Sequence, residues 1–377
     1  MPKKPRLACV VDRFGVRWGG AEAYAVWLMQ QLTTDYDIVV FARDYDTSCP
    51  IRLPFVPIRS PKFFPSWLRV FWFAIRARRL TRNGFDIVHS HMNGFCGNVE
   101  VVHVTPVRYN WRVRKKTWHK RLLSRISLRV QTYLWLEARR MALRPHHQVV
   151  AVSKIIAQQI SEAYSQTKQL PIIPPGVLLP NLGAIKPSSI RATLSWGPSC
   201  HVCLLVARNP LRKGLPTLLK ALARLPSHIK LLVVGGDDMS RQFVINNCPE
   251  AVVKRVSILD ETSDVAPYYA IADSYIHPTL NDSFGMAPLE AMAFGLPVVL
   301  SPSPWCGFTD YIEANTEALV LNHPENDAQL AELIQQLASN KELYQRLSQA
   351  SRAVAKRHSW EQVAQHYRQV YRQVLKI

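Results

Sequence analysis

The segment SYIHPTLNDSFGMAPLEAMAFGLPVVLS, residues 274–301, decides the fold. A short β-branched and aromatic run, SYIHP (274–278), gives way to a polar loop. EAMAFG (290–295) then reads as a helix closed by Gly295, and after Pro297 the chain restarts as the strand PVVLS (297–301). Strand, helix and strand in so short a space make the repeating unit of a parallel sheet, because a helix is the usual crossover between parallel strands.

The same alternation extends outward. CLLVAR (203–208), KLLVVGG (230–236) and VSILD (256–260) precede the segment with helical stretches between them. The first half repeats it with LACVVD (7–12), DIVVFA (37–42), DIVHSH (86–91), EVVHVT (100–105) and HQVVAVS (147–153), and with helices over Ala21–Leu32 and Ser66–Leu80. Between the halves, LPIIPPGVLLPNLGAIKP (170–187) is rich in Pro and Gly and reads as a connection. The expected architecture is α/β, with Rossmann-like domains of parallel sheet over residues 1–178 and 179–359. The final helix, 360–377, is expected to pack back on the first domain. Ligands in such sheets bind beyond the carboxyl ends of the strands, so an interdomain cleft is the expected site.

Composition narrows the partners. At 377 residues, 48% hydrophobic and 20% charged, the chain has the make-up of a folded globular protein. Its net charge of +20 calls for an anionic counterpart: nucleic acid, an acidic membrane face or a phosphorylated substrate. There is no apolar run of the roughly 18 residues a spanning helix needs, and MPKKPRLACVVD lacks the form of a signal peptide, so a cytoplasmic location is expected. Seven cysteines, an odd number, suit reduced thiols. Cys200 and Cys203 have CxxC spacing but no second pair, and read as buried thiols rather than a zinc site.

The chemistry concentrates where the opening segment turns from strand to helix. Ser283, Phe284, Gly285, Met286 and Ala287 form the loop and first turn, and Pro288 is tolerated where amides lack helical partners. Such unpaired amides and the positive end of the helix dipole attract an anion. Glu290 is suited to ribose hydroxyls, and Asp282, across the loop, to sugar hydroxyls. Arg208 at the end of a strand and Lys213 before Gly214 add two cations suited to a diphosphate. Taken singly, these residues also fit plainer roles: a helix cap, a surface acid and surface cations.

In the first half, DRFGVRWGGAEAY (12–24) sets Gly19 and Gly20 at a helix start, open to phosphate or sugar, with Glu22 a weaker candidate. His89, His91 and His103 fall at strand ends. Asp44-Tyr45-Asp46 has the form of a metal-binding DxD but lies far in sequence from the expected phosphate site, so metal independence is expected. Arg108, Arg112, Arg114, Lys115, Lys116, Lys120, Arg121, Arg125, Arg129, Arg139, Arg140 and Arg144 face only Glu137, with Trp111, Trp118, Tyr133 and Trp135 interleaved. This stretch, Arg108–Arg144, and the similar Ser66–Leu80 suit an anionic membrane surface. A solvated basic helix is the plainer alternative. Nucleic acid would also attract the charge, but no RNP, zinc-finger or helix-turn-helix signature accompanies it.

On these residues the second half resembles the retaining glycosyltransferases of sequence family four. Their pattern is a strand ending in Arg, then Lys-Gly, then a carboxylate-x7-Glu motif and an EAMAxGxPVV-like run. Arg208, Lys213-Gly214, Asp282, Glu290 and EAMAFGLPVV match it, with Val152-Ser153, IIPPGV (172–177), VVGGDD (233–238) and AIADSYIHP (270–278). Asp282 stands where the family more often has Glu, one methylene shorter. A narrower likeness, carried by CGFTDYIEAN (306–315), IIPPGV and ALARLPS (221–227), is to bacterial lipopolysaccharide core glucosyltransferases.

The resemblance implies a GT-B fold and retaining transfer of a hexose, UDP-glucose favoured, from a nucleotide-diphospho-sugar to a lipid-linked glycan acceptor, without a cofactor. It implies catalytic roles for Asp282, Glu290, His103, Arg208 and Lys213. Donor binding would involve Gly19, Gly20, Arg208, Lys213, Ser283, Phe284, Gly285, Met286, Ala287 and Glu290. The implied place of work is the inner face of the cytoplasmic membrane. Alternatives are another cell-surface polysaccharide acceptor, a nucleotide-sugar epimerase or hydrolase, and a non-catalytic nucleic-acid-binding protein.

Overall fold

The computed structural model describes residues 4–92, 94–114, 124–142, 144–165, 169–180, 187–262 and 264–375. The chain divides into two compact units, Met1–Gly176 with Trp360–Ile377, and Val177–Ser359.

The first unit is built on six parallel strands: β1 (Arg6–Val10), β2 (Asp37–Ala42), β3 (Phe55–Pro57), β4 (Ile87–Ser90), β5 (Val99–Val102) and β6 (Gln148–Ala151), in the order β3-β2-β1-β4-β5-β6. The second repeats that order with β7 (His201–Val206), β8 (Ile229–Val234), β9 (Val256–Leu259), β10 (Ser274–His277), β11 (Val298–Leu300) and β12 (Leu319–Val320), as β9-β8-β7-β10-β11-β12. Each is a doubly wound sheet whose chain reverses direction between two central strands, β1 and β4 in one unit, β7 and β10 in the other. The outer strands β3 and β12 are too short to stand out as runs, and Pro57 is accommodated at the sheet edge.

Both faces of each sheet are apolar, so the strands read as continuous rather than alternating runs. In β1, Leu7 and Cys9 enter one core while Ala8 and Val10 enter the opposite one, beneath the helix Ser66–Thr81. In β7, Val202 and Leu204 pack to one side, and Cys203 and Leu205 to the other. Burying each such Leu or Val stabilises the fold by about 1.5–3 kcal/mol. Cys200 and Cys203 carry free thiols.

The last helix, Trp360–Leu375, completes the first unit. Trp360, Val363, Ala364, Tyr367, Val370, Tyr371 and Val374 form its buried stripe, at the spacing that keeps side chains on one helical face. It is tied down by polar contacts as well: the Tyr24 hydroxyl donates to that of Tyr367 at 2.9 Å, and His89 Nδ1 lies 2.5 Å from the Tyr371 hydroxyl. Burial lowers the His89 pKa to about 3, so its imidazole is neutral there.

Two residues within the basic stretch, Arg140 and the acid Glu137, are buried and serve the fold rather than a membrane surface. Arg140 is buried and forms an ion pair with Glu100, Nε to Oε2 at 3.3 Å, while its guanidinium also donates to the Val101 carbonyl. Glu137 is buried too, and accepts from the amides of Val107 and Arg108 and from the Tyr164 hydroxyl. Replacing Arg140 by Met is expected to strand a buried carboxylate at Glu100, with a loss of about 3–5 kcal/mol in denaturant unfolding. A loss below about 1 kcal/mol, the surface ion-pair range, would contradict this placement.

Candidate active site

In the second unit the chain leaves β7 and β10, the two strands at the switch point, through the loops that carry the candidate residues. The first loop holds Arg208 to Gly214, the second Pro278 to Gly285. Gly214 locks them together. It has φ 94°, and a Cβ there would lie 2.1 Å from the Pro278 carbonyl oxygen, so no side chain fits. A backbone bond from Leu280 N to Arg212 O, 3.2 Å, joins the loops a second time.

This close approach brings Lys213 onto Asp282 across a wide sequence separation, Nζ to Oδ2 at 2.5 Å, with a second bond to the Asn281 carbonyl at 3.3 Å. His277, at the end of β10 and 1% exposed, places Nε2 3.1 Å from the same Oδ2. Burial raises the Asp282 pKa, but His277 and Lys213 outweigh it and hold the carboxyl well below the usual range. Burial also lowers the His277 pKa, against the opposing pull of Asp282. A neutral imidazole carrying its proton on Nε2 therefore donates to an ionised carboxylate.

The helix Met286–Ala293 starts at Gly285, φ 104°, and no side chain caps it. The helices Gly20–Leu32 and Leu215–Ala223 likewise start on glycines without a side-chain cap. Elsewhere Ser153, Asp237, Asn326 and Asn340 close helix starts with their own oxygens. The glycine-led starts are those the sequence marked for phosphate or sugar. The loop before Gly285 is pinned by Asp282 N to Trp305 O at 2.7 Å and Gly307 N to Asp282 O at 3.0 Å. Met286 and Ala287 are partly exposed at the helix start, Ser283 in the loop before it, and Phe284 is buried beneath.

Glu290 lies in the same helix, and its Oε2 accepts from the Tyr269 hydroxyl at 2.9 Å. Burial raises its pKa and the Tyr269 bond lowers it in part. Arg208 sits further out, more than half exposed, with Nη2 2.7 Å from Glu261 Oε1. The structure thus joins Lys213 directly to Asp282 and sets the Gly285 turn between Asp282 and Glu290, while Arg208 pairs with an acid the sequence reading had not considered. Tyr269 and His277 were also missed. One resembles a core aromatic and the other a strand residue, although a histidine at the carboxyl end of a central strand was a usable signal.

Gly19, Gly20 and His103 belong to the first unit. A Cβ at Gly20 would meet nothing within 4 Å, whereas at Gly19 it would meet the Glu22 carboxylate at 2.8 Å. His103, just beyond β5, packs edge-on to Tyr24 with ring centroids 5.0 Å apart, and its Nε2 is 2.8 Å from His91 Nδ1. Burial lowers the His103 pKa to about 3, so it is neutral. Asp44 pairs with Arg13, and Asp46 with Arg17 and Ser48, so both acids of the DxD sequence are engaged. Among the described residues no His, Cys, Asp and Glu side chains cluster to hold a metal ion.

The two membrane candidates in the first unit meet. Phe71 of the helix Ser66–Thr81 and Trp135 of the helix Leu128–Met141 have ring centroids 5.8 Å apart, and Phe95 joins them at 5.5 Å. Arg78 lies over Phe95, and Arg139 over Trp135. Arg76 and Arg79 of the first stretch and Arg112, Arg114, Arg125 and Arg129 of the second are exposed, as are Phe63, Trp72, Ile126 and Leu128. Lys115, Lys116, Trp118, Lys120 and Arg121 lie outside the described residues. No helix among the described residues is long and apolar enough to cross a membrane.

Residues 18–179 match the family model described as Glycosyltransferase Family 4, and residues 191–354 match that described as Glycosyl transferases group 1. The chain belongs to the glycosyltransferases built from these two domains. Among similar sequences, the lipopolysaccharide glucosyltransferase WaaG of Escherichia coli is 26% identical over 58% of this chain and 56% of that protein. A D-inositol 3-phosphate glycosyltransferase of Segniliparus rotundus is 28% identical over 60% of this chain and 52% of that protein. The matched part of the chain therefore spans little more than half the length of these relatives.

Solved structures establish the fold as GT-B. The crystal structure of WaaG superposes with a TM-score of 0.76 at 18% identity, covering 95% of this chain and 97% of that one. That of Anabaena HepE in complex with UDP-glucose gives 0.72 at 17% identity, covering 99% and 100%.

Proposed function

We propose that this chain is a retaining hexosyltransferase that moves a hexose from a nucleotide-diphospho-sugar, UDP-glucose favoured, to a lipid-linked glycan acceptor of the lipopolysaccharide-core kind. The observation that carries this reading is the uncapped helix start at Gly285 with Lys213 and Asp282 on one side and Glu290 on the other. The family and its lipopolysaccharide relatives support it, and the UDP-glucose complex of a protein with the same fold favours that donor.

In this reading the diphosphate lies on the amides of Met286 and Ala287, with Lys213 and Arg208 supplying positive charge. Glu290 holds the ribose hydroxyls and Asp282 the hexose hydroxyls. As the bond from the anomeric carbon to the phosphate oxygen stretches, negative charge gathers on the diphosphate. Amides and cations already fixed there stabilise that charge most in the transition state. The acceptor hydroxyl attacks from the face the phosphate leaves. Its proton passes to the departing phosphate oxygen, and the configuration is retained without an enzyme nucleophile. The roles of Gly19, Gly20 and His103 rest on the family resemblance, with His103 a neutral hydrogen-bonding group. No cofactor and no metal ion take part.

The proposed location is peripheral, on the inner face of the cytoplasmic membrane. There the exposed arginines of Ser66–Leu80 and Arg108–Arg144 would meet anionic headgroups, at about 1 kcal/mol for each residue near the surface. Vesicle flotation is expected to show binding that grows with anionic lipid and weakens with salt. Indifference to both would place the acceptor in solution.

Transfer of labelled hexose from UDP-glucose to a lipopolysaccharide core lacking its glucose tests the whole reading. Product with the α configuration of the donor, formed equally well in EDTA, is the expected result. Release of free sugar or an epimerised nucleotide sugar without transfer would overturn it, and loss of turnover in EDTA would overturn metal independence.

A further inference from the structure

Each of the two acids flanking the helix start is gripped at one oxygen by a buried group on a neighbouring element. Asp282 receives both bonds, from His277 Nε2 at 3.1 Å and from Lys213 Nζ at 2.5 Å, on Oδ2. Glu290 receives the Tyr269 hydroxyl on Oε2 at 2.9 Å. The gripping residues are themselves fixed. Tyr269, 1% exposed on the helix Ala266–Ile271, stacks on Phe294 with centroids 5.2 Å apart. His277, 1% exposed, stacks on Tyr275 at 6.0 Å. Neither reaches open solvent as a ligand contact would require. A carboxylate held at one oxygen by a rigid buried donor cannot rotate freely, so its second oxygen keeps one direction and stays available to accept a hydroxyl.

We propose that His277 and Tyr269 are positioning residues that divide donor recognition between them: His277, through Asp282, aims the acid that takes the hexose, and Tyr269, through Glu290, aims the acid that takes the nucleoside. The proposal rests on the donor reading given above and deepens it. Both residues are neutral donors, so they orient the carboxylates without cancelling their charge. Burial keeps the Tyr269 phenol protonated, and the neighbouring Glu290 charge adds to this. Lys213 cannot replace His277 in the complex, because its ammonium is committed to the diphosphate there.

The two halves come apart by calorimetric titration of the full chain with UDP and with UDP-glucose, alongside steady-state transfer kinetics. Tyr269→Phe is expected to weaken both ligands about 10-fold, because the nucleoside is common to them, and to leave the ratio of their affinities unchanged. His277→Leu is expected to leave UDP affinity within about twofold. It should erase the difference between UDP-glucose and UDP, and lower kcat by about 10- to 100-fold. His277→Gln, whose amide can reach the place of Nε2, should restore most of the loss. If His277→Leu does not fold, His277→Asn takes its place with the same expected losses, since its amide falls short of Asp282.

A purely structural role would lower thermal stability and weaken both ligands together in every variant. That pattern, or variants that match the native chain, overturns the division of labour. If neither UDP nor UDP-glucose binds the native chain, it is the proposed UDP-sugar donor that fails, and the division falls with it.

Discussion

Lys213→Ala and Glu290→Ala are each expected to lower hexose transfer by about 100- to 1000-fold while the chain stays folded. Lys213 is the larger effect on kcat. In the proposed reading its ammonium meets the diphosphate when leaving-group charge is greatest, and a contact stronger in the transition state than in the bound substrate acts on turnover. In the same reading Glu290 holds a part of the donor that does not react, so its loss is expected to raise KM as well. Alanine removes one hydrogen-bond partner of Asp282 in the first variant and the partner of the buried Tyr269 hydroxyl in the second, so the far-ultraviolet spectrum should be kept while the unfolding midpoint falls by a few degrees. Near-normal transfer in either variant would count directly against the site.

Gly214→Val is expected to be the most damaging single change to the architecture of that site. The residue has φ 94°, and its Cβ would meet the Pro278 carbonyl oxygen at 2.1 Å, a backbone atom that cannot turn aside as a flexible side chain can. Left-handed backbone at a β-branched residue alone costs about 1–3 kcal/mol, and the clash adds to it. A total of about 3 kcal/mol or more corresponds to a fall in Tm of roughly 6–12 °C for a unit of this size. In the proposed reading donor affinity should fall with it, because separating these loops moves Lys213 away from the Gly285 turn, where the diphosphate would lie. A native Tm with native donor affinity would show that the loops are not held together by this contact.

Much of this was legible in the sequence because the signals were local. DIVVFA could be read as a buried strand, and Gly285 as the start of a helix, from a few neighbouring residues. The family resemblance supplied the assignment of the acid pair to a nucleotide sugar. What the sequence could not display was proximity across the fold. Lys213 and Asp282 were given separate tasks, on phosphate and on sugar, yet the adjacency of β7 and β10 makes them partners. Arg140 was grouped with a surface stretch because its neighbours are basic. The contrary signal was Glu100, an acid inside the apolar strand run EVVHV that had to have a buried cation opposite it. Tyr269 and His277 passed as ordinary core and strand residues because their significance lies in the carboxylate each one touches.

The most direct test is a crystal structure of the chain soaked with UDP-glucose. The diphosphate should lie within hydrogen-bonding distance of the amides of Met286 and Ala287 and of Lys213 Nζ, with Glu290 on the ribose and Asp282 on the hexose. A nucleotide sugar bound elsewhere, or phosphates turned away from the start of that helix, would contradict the account.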